Sequence, residues 1–384
     1  MSQVFPAHWD VLPFSLAVKD ATSEYSKLQK SEYLEQGRFP IVDQGQQKFG
    51  GYTDDESVVS LGGCPAVVFG DHTRIFKFID EPFCLGADGA KVLEPKVELD
   101  KKFLFYYLSS LNIESAGYSR HFKFLKENVV PVPPLPEQKR IAAILDKADA
   151  IRRKRQQAIQ LADDFLRAVF LDMFGDPVTN PKGWEVKSVA DLIRTGVILQ
   201  VQDGNHGNDH PKVSDFTESG IPFVTANVVR RGKILFDQCY YLDHSWLDKL
   251  RIGFAKPRDV LISHKGSLGF TAVLDDTYED YIFSPQTTYY RVNEERLLPE
   301  YLKGYFDSGF FQSLFAKEGI QSTRAYLGIT RQKDLPVMIP EMSAQMKFLD
   351  VFSKYKNLSE KLFEPTASAE FFSSLSQKAF WGEL

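Results

Sequence analysis

Apolar residues recur at alternating intervals of three and four positions through two long segments of the chain. In the first segment the apolar or small positions are Ile141, Ile144, Ala148, Ile151, Ala158, Ala162, Phe165 and Val169. This heptad spacing, interrupted once by Arg155, predicts a long helix with a coiled-coil seam. Pro136 and Glu137 suit its first turn, and the glycine and proline of FGDP at residues 174–177 predict its end. At the helical rise per residue, such a helix is about 55–60 Å long.

The second segment, near the C-terminus, repeats the first after a shift of 207 positions. The shift carries Ile141, Ile144, Ala148 and Ile151 to Phe348, Val351, Tyr355 and Leu358. It also matches identical residues, namely Pro133 and Pro340, Gln138 and Gln345, Lys147 and Lys354, Lys154 and Lys361, Ala162 and Ala369, Phe165 and Phe372, and Gly175 and Gly382. A second helix of the same kind is therefore predicted, in which Pro365 causes a kink or a break.

The segments that precede the two helices resemble each other more loosely. HWDVLPFSLA at residues 8–17 is similar to GWEVKSVADL at 183–192, and FLFYYLSS at 103–110 is similar to YLKGYFDS at 301–308. Short β-like runs such as AVVFG and DVLISH occur there beside one or two short helices. The chain is therefore predicted to be an α+β protein with a twofold internal repeat in the order globule, helix, globule, helix. The predicted boundaries are 1–133, 134–175, 176–340 and 341–384.

This order of segments also predicts how the long helices pair. If the termini of the second globule lie close together, as domain termini often do, the second helix begins where the first ends and runs back beside it. The predicted fold is then two mixed-sheet globules in a pseudo-twofold arrangement, joined by an antiparallel coiled coil. The alternative is that each amphipathic helix packs only on its own globule.

The composition limits the classes of protein to which the chain can belong. With 384 residues, of which 43% are hydrophobic and 25% charged, the chain resembles a globular protein of two or three domains. It has no apolar run of membrane-helix length and no signal-peptide pattern, so the expected compartment is the cytoplasm. Cys64, Cys84 and Cys239 are too few and too scattered to predict disulfides or a zinc site. The net charge of −5 disfavours DNA binding unless cations are gathered locally or supplied by a partner.

Several catalytic signatures are missing from the sequence. We find no G-x-x-x-x-G-K-[ST] phosphate loop, no Asn-Pro-Pro-Tyr-like tetrapeptide of adenine methyltransferases and no glycine-rich S-adenosylmethionine loop. The stretch GNHGNDH invites a metal interpretation, because His206 and His210 are four residues apart with two aspartates nearby. Gly204 and Gly207 disfavour the helix that this spacing requires. A polar loop is the preferred interpretation, and no metal site is predicted.

Longer stretches resemble a known family. VPVPPLPEQKRIAAILDKADAIRRKRQQ, followed by FLDMFGDP, resembles the central conserved region of the specificity subunits of type I restriction-modification systems. GYSRHFKFLKENVVPVPPLPEQ and VVFGDHTRIFKFIDEPFCLGADGAKVL resemble parts of one target recognition domain of that family. VQDGNHGNDHPK, GIPFVTANVVRRGKI and ISHKGSLGFTAVL resemble parts of another, and QKAFWGEL resembles the family's usual ending. The resemblance covers nearly the whole chain, but the recognition domains are variable, so it does not identify the bases read.

The resemblance implies a non-catalytic subunit whose coiled coil separates two target recognition domains. Each domain would read one half of a bipartite sequence in double-stranded DNA, with an unread gap between the halves. The implied partners are two methyltransferase subunits, which methylate adenine with S-adenosylmethionine, and endonuclease or translocase subunits, which use ATP and Mg. The resemblance implies no cofactor for this chain and no membrane partner.

Polar loops within these domains supply candidate DNA contacts. Asn can bond an adenine edge, and His or Arg can reach guanine or phosphate. The candidates are His72, Arg74, Arg120, His121, Lys123, Asn205, His206, Arg230, Arg231, His264, Lys265, Arg324 and Arg331. For each of them, a solvated loop position is the alternative interpretation.

A run of cations on the first long helix has more than one interpretation. The run consists of Arg152, Arg153, Lys154 and Arg155. It could be a solvated or ion-paired face, a contact to the phosphates of spacer DNA, or a docking site for the methyltransferase subunits. The sequence leaves these three readings open.

The sequence is also compatible with other functions. A coiled-coil scaffold that binds no DNA would suit the acidic charge balance, and salt-dependent DNA binding by the partner-bound complex would exclude it. A metal-dependent nuclease would use the His/Asp loop, and cleavage by the purified chain with magnesium alone would support it. A degraded or decoy member of the family is a third possibility, for which Pro365 is the only sign.

Overall fold

The chain folds into two compact units. The structure, a computed structural model, describes residues 5–60, 63–87, 89–115, 117, 119–205, 210–266, 268–319, 326–363 and 369–384. Unit 1 comprises Met1–Gln157 and Phe363–Leu384, and unit 2 comprises Ala158–Leu362.

Unit 1 begins with a mostly β globule and ends in long helices. Its elements are β1 (Asp10–Pro13), α1 (Phe14–Ala17), β2 (Val18–Asp20), β3 (Lys27–Leu28), β4 (Phe39–Val42), β5 (Gly51–Thr53), β6 (Ala66–Gly70), β7 (Phe76–Ile79), β8 (Cys84–Gly86), β9 (Ala90–Pro95), α2 (Lys101–Ser110), α3 (Phe122–Leu125), β10 (Val129–Val132), α4 (Leu135–Phe174) and α11 (Ala369–Phe380). The last turns of α4, from residue 158 onward, belong to unit 2.

Two four-stranded sheets form the globule of unit 1. The sheet β2-β9-β6-β7 is antiparallel, whereas β3-β8-β4-β5 contains the parallel pairs β3–β8 and β4–β8. Strand β6, AVVFG, is buried along its whole length, as expected of a continuous apolar run at the centre of a domain. The short pair β1–β10 leads the chain into α4.

Unit 2 contains the remaining elements. They are β11 (Glu185–Ser188), α5 (Val189–Arg194), β12 (Ile198–Asp203), β13 (Phe216–Thr217), β14 (Ile221–Val224), β15 (Val229–Arg230), β16 (Lys233–Ile234), β17 (Tyr240–Leu242), α6 (Trp246–Lys249), β18 (Phe254–Ala255), β19 (Val260–Ser263), β20 (Thr271–Val273), β21 (Tyr281–Phe283), β22 (Thr287–Val292), α7 (Pro299–Phe306), α8 (Gly309–Gly319), α9 (Ile329–Gln332), β23 (Pro336–Ile339) and α10 (Met342–Phe363).

The topology of unit 2 repeats that of unit 1. The antiparallel sheet β12-β22-β19-β20 corresponds to β2-β9-β6-β7, and the pair β11–β23 corresponds to β1–β10. The parallel pair β14–β21, inside the sheet β13-β17-β14-β21-β18, corresponds to β4–β8. The order of strands and helices therefore carries the internal repeat that the sequence predicts, and the α+β fold class is confirmed.

Within unit 1, α4 pairs with the C-terminal segment in the antiparallel sense. Arg140 near the start of α4 donates to the carbonyl oxygen of Leu384 at 2.7 Å. Further along α4, the guanidinium of Arg152 lies 5.8 Å from the ring centroid of Phe372 on α11. The partner position falls as the α4 position rises, which is the signature of antiparallel helices.

Unit 2 shows the same direction of pairing between α4 and α10. The hydroxyl of Tyr355 donates to the carboxylate of Asp163 at 2.5 Å. Towards the end of α4, Phe170 and Phe174 pack against Phe348, with ring centroids 5.4 and 5.6 Å apart. The prediction of contacting long helices is confirmed, although each half of α4 also packs on its own globule.

The predicted seam of α4 is only partly correct. Ile141 is buried, but Ile151 and Phe165 are 63% and 59% exposed. In unit 2 the buried positions of α4 are instead Leu166, Phe170 and Phe174, four residues apart. The reason is that α4 packs there against α7 as well as α10: Phe170 stacks on Tyr301 of α7 at 5.6 Å. A heptad pattern describes the packing of two helices and does not predict contact with a third helix.

The predicted kink or break at Pro365 lies outside the described residues. Helix α10 ends at Phe363, and α11 begins at Ala369.

Candidate functional site

In unit 1, a buried histidine ties the turn after β6 to the segment before α3. The backbone N–H of His121 donates to the carbonyl oxygen of Asp71 at 2.9 Å, and its ring Nδ1 lies 3.0 Å from the same oxygen. Because a carbonyl oxygen only accepts, Nδ1 carries the proton. The Asp71 carboxylate accepts from the backbone N–H of Phe122 at 2.7 Å. His121 is 1% exposed, so it holds two loops together, and a direct DNA contact by its side chain would require these loops to open.

Exposed cations surround this junction. Arg74 adopts φ +64° in the turn between β6 and β7 and donates to the carbonyl oxygen of Ile113 at 2.8 Å. Arg120 and Lys123 are exposed on either side of His121. His72 is half-buried in the same turn. All five candidates of unit 1 therefore converge at one end of the sheet β2-β9-β6-β7.

Two further lysines at this junction were missed by sequence reasoning. The ammonium of Lys126 lies 4.7 Å, and that of Lys91 5.4 Å, from the ring centroid of Phe122. Lys91 also pairs with Asp20 at 2.9 Å. Lys126 follows α3 closely in sequence and could have been included, whereas Lys91 reaches the junction only because β9 pairs with β6.

The corresponding junction of unit 2 contains a second buried histidine. His264 follows β19, as Asp71 follows β6, and its Nδ1 lies 3.1 Å from the carbonyl oxygen of Leu327, just before α9. The backbone N–H of Leu327 donates to the carbonyl oxygen of His264 at 3.0 Å. In unit 1 the histidine belongs to the segment before the short helix α3, whereas in unit 2 it belongs to the turn after the strand β19. In both units it connects the turn after the strand to the segment before the short helix.

The environment of His264 favours the neutral form of its ring. Burial lowers the pKa of His264 below its usual value of 6.5, and the neighbouring Asp203 carboxylate offsets this only in part. Its Nε2 is buried without a hydrogen-bond partner, 3.9 Å from Asp203 Oδ1. With the side chain 1% exposed, His264 is a positioning residue for the turn in this conformation.

Other candidates of unit 2 lie around this turn. Lys265 is exposed and pairs through its backbone with Tyr326, whose ring centroid is 5.9 Å from the lysine ammonium. Arg331 is exposed on α9. Asn205 is 2% exposed, and its backbone N–H donates to the carbonyl oxygen of Phe283 at 2.7 Å. The turn after β19 and the start of α9 therefore form a second basic junction, equivalent in topology to the first.

Two candidates cannot be placed, because His206 and Arg324 lie outside the described residues. The same holds for Asp209 of the stretch that invited a metal interpretation. Among the described residues, no group of three or more His, Cys, Asp or Glu side chains is arranged to hold a metal ion.

Arg230 and Arg231 occupy a different part of unit 2, the hairpin of β15 and β16. Arg230 Nη1 donates to the carbonyl oxygens of Ala226 and Val229, both at 2.7 Å. Its guanidinium lies 4.4 Å from the ring centroid of Phe270. Arg230 is thus folded back onto its own unit.

The basic run on α4 is partly neutralised within its own helix. Asp149 accepts from Arg152 at 2.6 Å and lies 3.3 Å from Arg153. Lys154 is exposed and Arg155 is half-buried. Ion pairing along the helix is therefore observed for Arg152 and Arg153, and contacts of the run with spacer DNA or with a partner stay predictions.

The C-terminal half of α4 exposes an apolar face that sequence reasoning assigned in part to the seam. Leu161, Phe165 and Leu171 are 61%, 59% and 46% exposed. Apolar side chains grouped in this way on a helix are typical of a protein-docking surface.

None of the helices in the described part of the chain is both long and apolar enough to cross a membrane.

Comparisons with known proteins agree on one family. Residues 22–161 match the type I restriction modification DNA specificity domain. The chain is 20% identical to the type I restriction enzyme MjaVIII specificity subunit of Methanocaldococcus jannaschii, over 92% of this chain and 88% of the relative. It is 20% identical to the type I restriction enzyme EcoBI specificity subunit of Escherichia coli, over 79% and 70%. The crystal structure of the type I restriction-modification system S subunit from M. genitalium has a similar fold, with 15% identity, a TM-score of 0.58, and coverage of 97% of this chain and 96% of that one.

Proposed function

The chain belongs to the specificity subunits of type I restriction-modification systems, and from that premise we propose that it reads a bipartite DNA sequence, one half-site with each unit. Its role in the complex is recognition of the DNA target, and the subunit is non-catalytic. The observation that carries the proposal is the pair of basic junctions, which lie at the same topological position in both units.

The proposal assigns a role to each segment of the chain. Residues 1–133 and 176–340 are the two target recognition domains, and residues 134–175 and 341–384 are the spacer helices. The length of the helices sets the distance between the half-sites at about one helical turn of DNA, as in other proteins that read two half-sites. A change of whole heptads in the helices should alter the unread gap, whereas exchange of one globule should alter one half-site.

Recognition is proposed to divide between the exposed cations and the loops they frame. Arg74, Arg120 and Lys123 in unit 1, with Lys265 and Arg331 in unit 2, are exposed and suited to phosphate or base contacts. His121 and His264 act indirectly, because they fix the loops that carry these cations. The net charge of −5 means that partner subunits supply much of the attraction to DNA.

The partners are proposed to be two methyltransferase subunits and the endonuclease or translocase subunits of the same system. The exposed apolar face of Leu161, Phe165 and Leu171 supports docking of a partner on α4. Adenine methylation with S-adenosylmethionine, and DNA translocation and cleavage with ATP and Mg, are assigned to these partners. Because the substrate is intracellular DNA, the proposal places the complex in the cytoplasm.

A methylation map tests the proposal. The chain is co-expressed with its methyltransferase subunit in a host without DNA methylation, and N6-methyladenine is located by sequencing. A split motif with a fixed gap is the expected result. If a complex that is shown to assemble leaves no methylated motif, the chain is a protein scaffold or a decoy, for which the acidic charge and the exposed face of α4 would suffice.

A further inference from the structure

The β15–β16 hairpin connects the globule of unit 2 to the long helix α10. Arg230 and Lys233 are the last paired residues, so Arg231 and Gly232 form a two-residue turn. Gly232 pairs with Ala272 of β20, the edge strand of its sheet. On the other side, Lys233 Nζ lies 4.0 Å from the carboxylate of Glu360 on α10. The tip of the hairpin therefore stands between the sheet and the helix.

The turn itself is unusual for its sequence. Arg231 and Gly232 both have positive φ, +53° and +75°, which is the type I′ geometry that favours Asn-Gly. A residue with a long side chain adopts this conformation at an energetic cost. The conformation persists only where the surrounding structure fixes it. Arg231 lines two adjoining clefts of about 500 and about 370 Å³, both of which also include Tyr355 of α10 and Lys303 of α7. This placement directs the tip towards the helices.

Close packing holds the tip in place. A Cβ atom on Gly232 would lie 2.9 Å from Cε and 3.1 Å from Nζ of Lys303. Lys303 is itself fixed, because its ammonium pairs with Asp307 at 2.5 Å and its side chain is 8% exposed. The hairpin therefore rests on α7 without room for a larger residue.

We propose that this hairpin is a strut that sets the angle at which the recognition domain of unit 2 meets α10, and that Arg231 is a positioning residue rather than a DNA contact. The inference rests on the proposed function, in which the helices set the gap between half-sites. If the strut fixes the domain on the helix, its loosening should relax the gap while leaving the bases of each half-site unchanged.

Two variants of the full chain in its methyltransferase complex test the strut. Arg231→Asn suits the turn but removes the long side chain, and Gly232→Ala pushes the tip away from Lys303 while keeping every cation. Methylation at sites with a gap one base pair longer or shorter, relative to the wild-type gap, should rise by about tenfold, the change expected when a few weak contacts are lost. The matched control is Gly196→Ala, because Gly196 also has positive φ, +68°, but nothing within 4 Å of a Cβ atom.

The other outcomes discriminate against the strut. Relaxed reading of one base in one half-site would make Arg231 a base contact, and a uniform loss of affinity with a smaller salt dependence would make it a phosphate contact. An unchanged gap in both variants would equally overturn the proposal. A charge exchange adds a rescue test: Lys233→Glu should relax the gap, and adding Glu360→Lys should restore it.

Hydrogen exchange of the same variants gives a readout without DNA. If the strut exists, Gly232→Ala should increase amide exchange both in residues 229–234 and in residues 352–360 of α10, whereas Gly196→Ala should change neither. Unchanged exchange in α10 would refute the strut even if the wild-type complex methylated no split motif. Failure of the wild-type map together with faster exchange in α10 would refute the proposed function alone.

Discussion

Gln138 and Gln345, 207 positions apart in the sequence, make the same set of hydrogen bonds in the two units. Gln138 Oε1 accepts from the backbone N–H of Asp100 at 2.7 Å, and Gln345 Oε1 accepts from that of Leu298 at 2.8 Å. The Nε2 of Gln138 donates to the carbonyl oxygens of Glu98 and Pro133, and that of Gln345 donates to those of Arg296 and Pro340. Both side chains are completely buried. Each glutamine thus fastens the first turns of a long helix to the loop that precedes a short helix of its globule.

Replacement of either glutamine should be strongly destabilising. Gln345→Met keeps the length of the side chain but leaves one backbone N–H and two carbonyl oxygens without their partner, which should cost about 2–4 kcal/mol in the free energy of unfolding. Urea denaturation measures the loss. Gln156→Met, at an exposed position of α4, is the control and should change little. Equal stability of the two variants would show that water replaces the lost bonds.

The bond between Tyr355 and Asp163 predicts a measurable coupling between α10 and α4. Tyr355→Phe should reduce the free energy of unfolding by about 1–3 kcal/mol, because the hydroxyl donates to a carboxylate. A double-mutant cycle with Asp163→Ala, which removes the acceptor, isolates this pair. Tyr240→Phe, at a 58% exposed site, serves as the control. A coupling energy near zero would mean that apolar packing alone holds the two helices together.

The buried His264 predicts acid sensitivity of unit 2. Its pKa in the folded protein is lowered from the usual 6.5, first by burial and further by Lys265, with partial compensation from Asp203. The stability that it contributes is therefore present above pH 6.5 and is lost as the pH falls through its lowered pKa. His264→Asn retains a donor near the Nδ1 position but does not titrate, so the stability of this variant should fall less between about pH 7.5 and about pH 5. His244→Asn, at an exposed site, should retain the wild-type slope in urea titrations.

The backbone geometry at Gly175 predicts that the end of α4 requires glycine. Gly175 has φ +81°, its N–H donates to the carbonyl oxygen of Leu171 at 2.8 Å, and a Cβ atom would lie 2.6 Å from Pro181 Cγ. Gly175→Ala should cost about 2–3 kcal/mol, since strain and a steric clash add. Gly183→Ala, with φ +67° but open space, should cost only about 1 kcal/mol. Equal melting shifts of the two variants would show that the contact with Pro181 adds nothing to the cost.

The two basic junctions predict separable effects on DNA. In the assembled complex, Arg74→Gln should weaken recognition of the half-site read by unit 1, and Lys265→Gln that of the other. If the contact is to phosphate, the slope of log affinity against log salt should fall by about one. Arg194→Gln, which removes a charge with a 77% exposed side chain elsewhere in unit 2, is the control. An effect of Arg194→Gln equal to that of Lys265→Gln would point to general charge rather than the junction.

Much of the architecture follows from the sequence alone. The shift of 207 positions, Pro136 in the first turn and the Gly175 stop predict the long helices, because helical periodicity and helix ends are local properties of the sequence. The shared Gln138 and Gln345 were visible as identities, but their role was not, since it depends on loops about 40 residues earlier in the chain. The chemistry of the candidate loops was also readable, because cations and histidines cluster beside strand ends.

Only the tertiary structure decided which of those side chains are available. His121, His264 and Asn205 read as exposed loop residues, yet all three are buried. The two histidines are enclosed where the turn after a strand meets the segment that leads into α3 or α9, and Asn205 bonds to Phe283 at the end of β21. Arg230 is turned inward by carbonyl oxygens, and Phe165 is turned outward because α7 occupies the side of α4 where Phe170 packs. The sequence by itself determined the repeat and the long helices, and its motifs indicated the family. Burial, and the packing of segments that are distant in the sequence, decided which residues are exposed and can contact a partner.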